Sequence, residues 1–200
     1  MSEHSFTRVI YAVRATGVRD RAERAAVELF GARGIDGVSI ADIAATAGIS
    51  QGALYRHYRS KDELAAHLFS EAYRRTGAEL ASIVEITEGF AKRLGAMVAH
   101  FCALYDRDAA LFRFLLLAQH NLLSTASRDC APVDAIEKAV ADATDAGEIA
   151  SVDKTAAAAA VMGIVLQTAL FHIYGRIDGP LSLRAPALAR AALAAVMALS

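Results

Sequence analysis

The chain has 200 residues, 55% of them hydrophobic, and a formal net charge of −1. That length allows one large domain or two small ones with a core of ordinary size. The near-neutral balance excludes a polybasic binder, so any contact with nucleic acid has to come from a local patch.

Two cysteines, Cys102 and Cys130, lie far apart and make neither a disulfide framework nor a CxxC pair, which fits a reducing cytoplasm. No secretory signal is visible, because arginines interrupt the mildly apolar N-terminal stretch. The longest apolar run, residues 156–171, falls short of the ~18 residues of a membrane span and contains Gln167. It reads as a buried helix, and no membrane role is expected.

Only three prolines occur, and apolar residues recur at spacings of three and four. The chain therefore reads as all-α. Residues 1–19 form an N-terminal extension, read as a loose tail. Arg8, Arg14 and Arg19 offer the alternative of an arm contacting DNA.

From Asp20 the pattern sharpens. Ala22, Ala25, Ala26, Leu29 and Phe30 make one stripe, and Gly34 ends the helix. Ser39 with Asp42 caps a short helix over Ile40–Ala47, and Gly48 supplies a turn. Ser50 caps a third helix expected to reach Tyr58. Ser60 and Glu63 form a capping box that starts a long fourth helix, Lys61 to about Ile86.

Longer helices follow. Ile86, Phe90, Leu94, Met97, Phe101 and Leu104 make one stripe. Residues 110–123 are apolar nearly all round and are expected to be buried centrally. Pro132 opens a helix ending near Gly147. Asp153 caps one of about twenty residues, reaching Tyr174. The last runs from Ala185 to Leu199. The expected architecture is a three-helix head over 20–66, joined by the fourth helix to a helical body over 67–200, with about nine helices in all.

Residues 39–58 have the layout of a helix-turn-helix. Ile43, Ile49 and Leu54 point inward, and Ala44 permits close approach. Ser50, Gln51, Gly52, Ala53, Tyr55, Arg56 and His57 then face outward. Gln51 suits adenine N6 and N7, while Gly52 and Ala53 leave room for the DNA or a thymine methyl. Tyr55 and His57 can donate to phosphates, as can Lys61 at a helix start. Residues 46–61 carry three fixed positive charges and no negative one.

The stretch "RAAVELFGARGIDGVSIADIAATAGISQGALYRHYRSKDEL" closely resembles the N-terminal domain of TetR-family transcriptional regulators. Beyond residues 20–66 the likeness is one of length and helical layout. The resemblance implies a homodimer that binds a palindromic operator on double-stranded DNA and holds a small effector in its body. It implies phosphate contacts from Ser39 and Lys61, base contacts from Gln51, Gly52 and Ala53, and backbone anchoring by Tyr55 and His57. Arg56 departs mildly from the family pattern.

In the body, polar residues sit on apolar helices. His100, Gln119, His120 and Gln167, with Phe101, Tyr105, Phe112 and Phe171, are the candidates for a pocket around a mostly apolar small molecule. Val161, Ile164, Val165, Thr168 and Phe171 make one stripe in the last two long helices; Leu188, Ala192, Ala195, Val196 and Leu199 make the other. Part is core, and the remainder is expected to form a four-helix dimer interface. Ligand binding is expected to act through the fourth helix.

No cofactor or metal site is expected, because the histidines lack i, i+4 spacing. An enzyme is not expected either: G-x-S-x-G, HExxH and Walker-type loops are missing. The competing readings are an all-α enzyme and a helix-turn-helix that binds protein rather than DNA.

Overall fold

A computed structural model describes residues 17–123 and 131–199. Among these residues there are nine α-helices, one short 3-10 turn and no strand. The head consists of α1 (Val18–Arg33), α2 (Ile40–Ala47) and α3 (Gln51–Tyr55). From it runs α4 (Lys61–Ile86). The body is completed by α5 (Phe90–Arg107), α6 (Ala109–Leu122), α7 (Pro132–Asp145), α8 (Lys154–Ile173) and α9 (Ala185–Met197).

Side-chain caps fix most of these starts. Ser39, Ser50, Ser60, Asp108 and Asp153 each accept a backbone N–H from the first turn of the helix they precede. Asp42 returns a bond to the Ser39 N–H at 2.9 Å, closing the box. Glu63 instead takes the Arg59 N–H at 2.6 Å, so the expected box at Ser60 closes one residue early. Gly48 sits at φ 63°, where a side chain would be strained, and makes the turn between α2 and α3.

Head and body are joined by α4 and by a second contact, α1 against α6. Phe114 of α6 lies 5.6 Å from Phe30 of α1 and 6.4 Å from Phe69 of α4, ring centre to ring centre. Gly31 meets α6 so closely that a Cβ there would stand 2.5 Å from the Ala110 carbonyl oxygen. Arg24 on α1 reaches the buried Asp108 at 2.5 Å.

Several expectations need correction. Helix α1 begins at Val18, so Arg19 belongs to the head rather than to an arm. Arg8, Arg14 and Cys130 lie outside the described residues. Helix α3 stops at Tyr55, because the chain turns to bury Tyr58, whose hydroxyl donates to Glu23 on α1. Ile86 ends α4 and is exposed, since Gly89 redirects the chain before α5. Helix α6 buries Leu111, Phe112, Phe114 and Ala118, yet leaves Leu117 48% exposed.

Helix α8 has 20 residues and a mean hydropathy of 1.8, long and apolar enough by composition to cross a membrane, contrary to the count from the sequence. Only 28% of its apolar window is buried within the chain. Ala159, Gly163, Gln167 and Phe171 form its open row. On α9, Ala192 and Val196 turn inward, and the exposed row is Ala187, Ala191, Ala194 and Ala198.

Replacing Gly31 by alanine is expected to destabilise the fold by about 1–3 kcal/mol, because backbone, not a flexible side chain, must give way. A lower urea midpoint checks this; an unchanged or raised midpoint contradicts the close α1–α6 contact.

Candidate nucleic-acid interface and ligand cavity

Helix α3 is short, and its position comes from its neighbours. Ile43 and Leu54 are fully buried between α2 and α3, and Ile49 packs beside them. Behind the recognition segment, Tyr58 is clamped by Glu23 and by Arg19, whose Nε lies 3.2 Å from the phenol oxygen. Arg19 also contacts His67 of α4 at 2.9 Å. Burial and the adjacent Glu23 carboxylate push the Tyr58 phenol well above its ordinary value, so it stays a neutral donor. This clamp ties α1, the α3–α4 turn and α4 together. The sequence places Tyr58 in the core, but its partner Glu23 lies 35 positions away and gives no local signal.

On the outer side, Ser50, Gln51, Gly52, Tyr55, Arg56 and His57 are exposed, and Lys61 is half-exposed. Ala53 does not face outward as expected: it is buried, at 7% exposure. The half-turn geometry that exposes Gly52 and Tyr55 forces residue 53 inward. Gly52 stands clear of the protein, since an added Cβ would have only the Ser50 hydroxyl oxygen near it, at 4.0 Å.

Ser39 is exposed but occupied. Its hydroxyl donates to Asp42 at 2.7 Å and accepts the Asp42 N–H at 3.1 Å. These bonds hold the Asp42 carboxyl below the usual carboxylate range. A phosphate meeting Ser39 therefore also meets a negative charge. Arg33, absent from the sequence candidates, is exposed and near enough to Asp42 to contribute to that lowering.

Some cations of the head are paired and others are not. Arg19 and Arg24 are paired with Glu23 at 2.6 Å and Glu28 at 2.8 Å. Arg56, Arg59 and Lys61, around α3, have no carboxylate partner among the described residues. Their charge is left for an external anion.

In the body, α4, α5, α6 and α8 line a half-open apolar cavity of about 50 Å³, with Pro132 of α7 at its edge. Of the sequence candidates, Phe101, Phe112 and Gln119 line it. His100 lies outside, with Nε2 3.1 Å from Glu79. Burial holds the His100 imidazole below its ordinary value. Tyr105 is buried but spends its hydroxyl on His172 Nδ1 at 2.9 Å. The other ring nitrogen of His172 donates to the Gly179 carbonyl, which fixes Nδ1 as the acceptor. His120, Gln167 and Phe171 are exposed and do not reach the cavity. Tyr73, Thr76, Leu104, Leu115, Leu116, Met162 and Leu166 complete the wall. Tyr73 and Thr76 were not legible as lining, because nothing local tells which side of α4 meets the body.

A helical head presenting one exposed segment, on a larger helical body lining an apolar cavity, defines the class: an all-α protein with a helix-turn-helix head. Residues 24–68 match the pattern described as "Bacterial regulatory proteins, tetR family". It is 27% identical over 134 residues to the HTH-type transcriptional repressor KstR2 of Mycolicibacterium smegmatis. That match spans 62% of this chain and 65% of the relative. The fold is similar to PfmR of Thermus thermophilus, with a TM-score of 0.73 and 22% identity over 89% of this chain and 96% of that one. It is also similar to FadR of Bacillus subtilis in complex with stearoyl-CoA, with a TM-score of 0.73 and 15% identity over 88% of this chain and 98% of that one.

Gly52→Ala separates folding from recognition. With open space around the Cβ, stability is expected to hold or rise by up to ~1 kcal/mol. Affinity for a duplex selected by the wild-type protein is expected to fall, measured by fluorescence anisotropy. Equal DNA affinity would remove Gly52 from the interface.

Proposed function

We propose that this protein is a ligand-responsive transcriptional regulator, a repressor in the cytoplasm that releases a palindromic operator when a small, mostly apolar molecule enters the body cavity. One observation carries the reading. Helix α6 contributes Phe112, Leu115, Leu116 and Gln119 to the cavity wall, and on another side it carries Ala110 and Phe114 against α1 of the head. The element that meets a ligand is also the element that holds the head.

The cavity is small. At about 50 Å³ it has room for a few waters, whereas small-molecule sites span about 300–1,000 Å³. An effector must therefore push the walls apart. The α1–α6 seam is closed at Gly31 and Ala110 but opens toward Arg33 and Asn121 into a cleft of about 220 Å³. Helix α6 can tilt about the closed end and carry α1 with it. This route replaces sole transmission through α4, which remains a second wall of the cavity through Tyr73 and Thr76.

DNA is held by Arg56, Arg59, Lys61, Tyr55 and His57 on phosphates and read by Gln51, with Gly52 giving clearance. Two heads are needed to meet successive major grooves about 34 Å apart. The open rows of α8 and α9 supply the dimer contact. Their small residues let helices approach, and the pairing accounts for an apolar helix left largely uncovered in one chain.

The KstR2 relative is a repressor and the FadR neighbour was solved with stearoyl-CoA, which supports an acyl-sized apolar effector.

Linkage supplies the test. An effector that lowers operator affinity by a given factor must bind the operator complex more weakly by the same factor. Titration in both orders is expected to return equal factors; independent binding would sink the mechanism. In the dimer, Phe171→Glu is expected to shift the protein to monomer in sedimentation velocity and to weaken operator binding, because it places a charge in an apolar contact. An unchanged dimer would move the interface elsewhere.

A further inference from the structure

We infer that the part of the effector enclosed by the cavity is uncharged, with a hydroxyl as the best match to a pair of groups on α4, Tyr73 and Thr76. This rests on the cavity being the effector site and narrows the ligand class that site accepts.

No charged side chain lines the cavity. Its polar groups are three: Tyr73, Thr76 and Gln119. Tyr73 and Thr76 are three residues apart on one helix and so share a face. Thr76 is 4% exposed, and its hydroxyl donates to the Ala72 carbonyl at 2.9 Å. Its proton is spent, and its lone pairs are left to accept. The Tyr73 ring stacks on Phe69 at 5.4 Å, while its hydroxyl has no hydrogen-bond partner among the described residues. Burial, and then the field of Asp134, push that phenol up, so it stays protonated and donates. Gln119 likewise has an unpartnered side-chain amide among the described residues. A ligand hydroxyl can accept from Tyr73 and donate to Thr76 at once.

The surrounding charges point the same way. His100 and Glu79 stand beside the cavity but face each other at 3.1 Å. Asp134 is engaged with the Ala131 N–H at 3.1 Å and does not line the wall. An entering carboxylate would find no cation in the wall itself and would feel Asp134 near Tyr73. An entering ammonium would find no carboxylate in the wall. Either ion would lose its hydration with only neutral hydrogen-bond partners, and no opposite charge, to replace it.

Calorimetric titration of the full chain with 1-octanol, octanoate and octylammonium at neutral pH tests this. Octanol is expected to bind, with both ions at least about tenfold weaker. Tyr73→Phe is expected to weaken octanol by about two- to tenfold. If either ion binds as tightly as octanol, the inference fails while the effector cavity stands. If octanol affinity is the same in Tyr73→Phe and in Thr76→Val as in the wild type, the hydroxyl placement fails. If no probe binds, both the inference and the cavity's proposed role are overturned.

Discussion

Asp108 joins the two halves of the molecule. One carboxylate oxygen accepts the Leu111 N–H and so caps α6; the other receives Arg24 from α1. The residue is only 5% exposed, and a carboxylate so buried persists only when its lone pairs are taken. The start of α6 and the seat of α1 are therefore set by one side chain. Gly31 and Phe30 continue the same contact along α1. Phe112, Leu115 and Leu116 of the same helix wall the cavity.

Charge is distributed along the same division. Two arginines of α1 are paired: Arg19 with Glu23, Arg24 with Asp108 and Glu28. Where the recognition segment faces outward, Arg56, Arg59 and Lys61 are left without carboxylates among the described residues. A net charge of −1 thus coexists with a locally cationic face. The body follows the opposite rule: its cavity wall contains no charge at all, and its polar atoms are few and placed. The open row of α8 carries no charged residue, and that of α9 is alanine-rich with Arg190 beside it.

The helices were legible in the sequence where local chemistry marks their ends. Ser39, Ser50, Ser60 and Asp153 are caps whose meaning is contained within four residues, and α2 and α4 match the expected bounds. The exposed face of α3 was equally legible, except at Ala53, where a small residue fits either side of a short helix. The body was read less well. Gln167 and Phe171 lie on a helix apolar nearly all round, so periodicity gives no direction, and both turn outward. Tyr73 and Thr76 line the cavity because α4 crosses α6 and α7 there, a fact of packing that no window of sequence contains. The α1–α6 contact rests on Arg24 and Asp108, 84 positions apart, and had no local signature.

The central claim is that a ligand in the cavity acts on the head through α6 and α1. Amide hydrogen exchange, with and without a cavity ligand such as octanol, tests it most directly. The account predicts altered exchange in α6 and, beyond the cavity wall, in the Arg24–Arg33 half of α1. Changes confined to α4, α5, α7 and α8, with α1 unaffected, would contradict it.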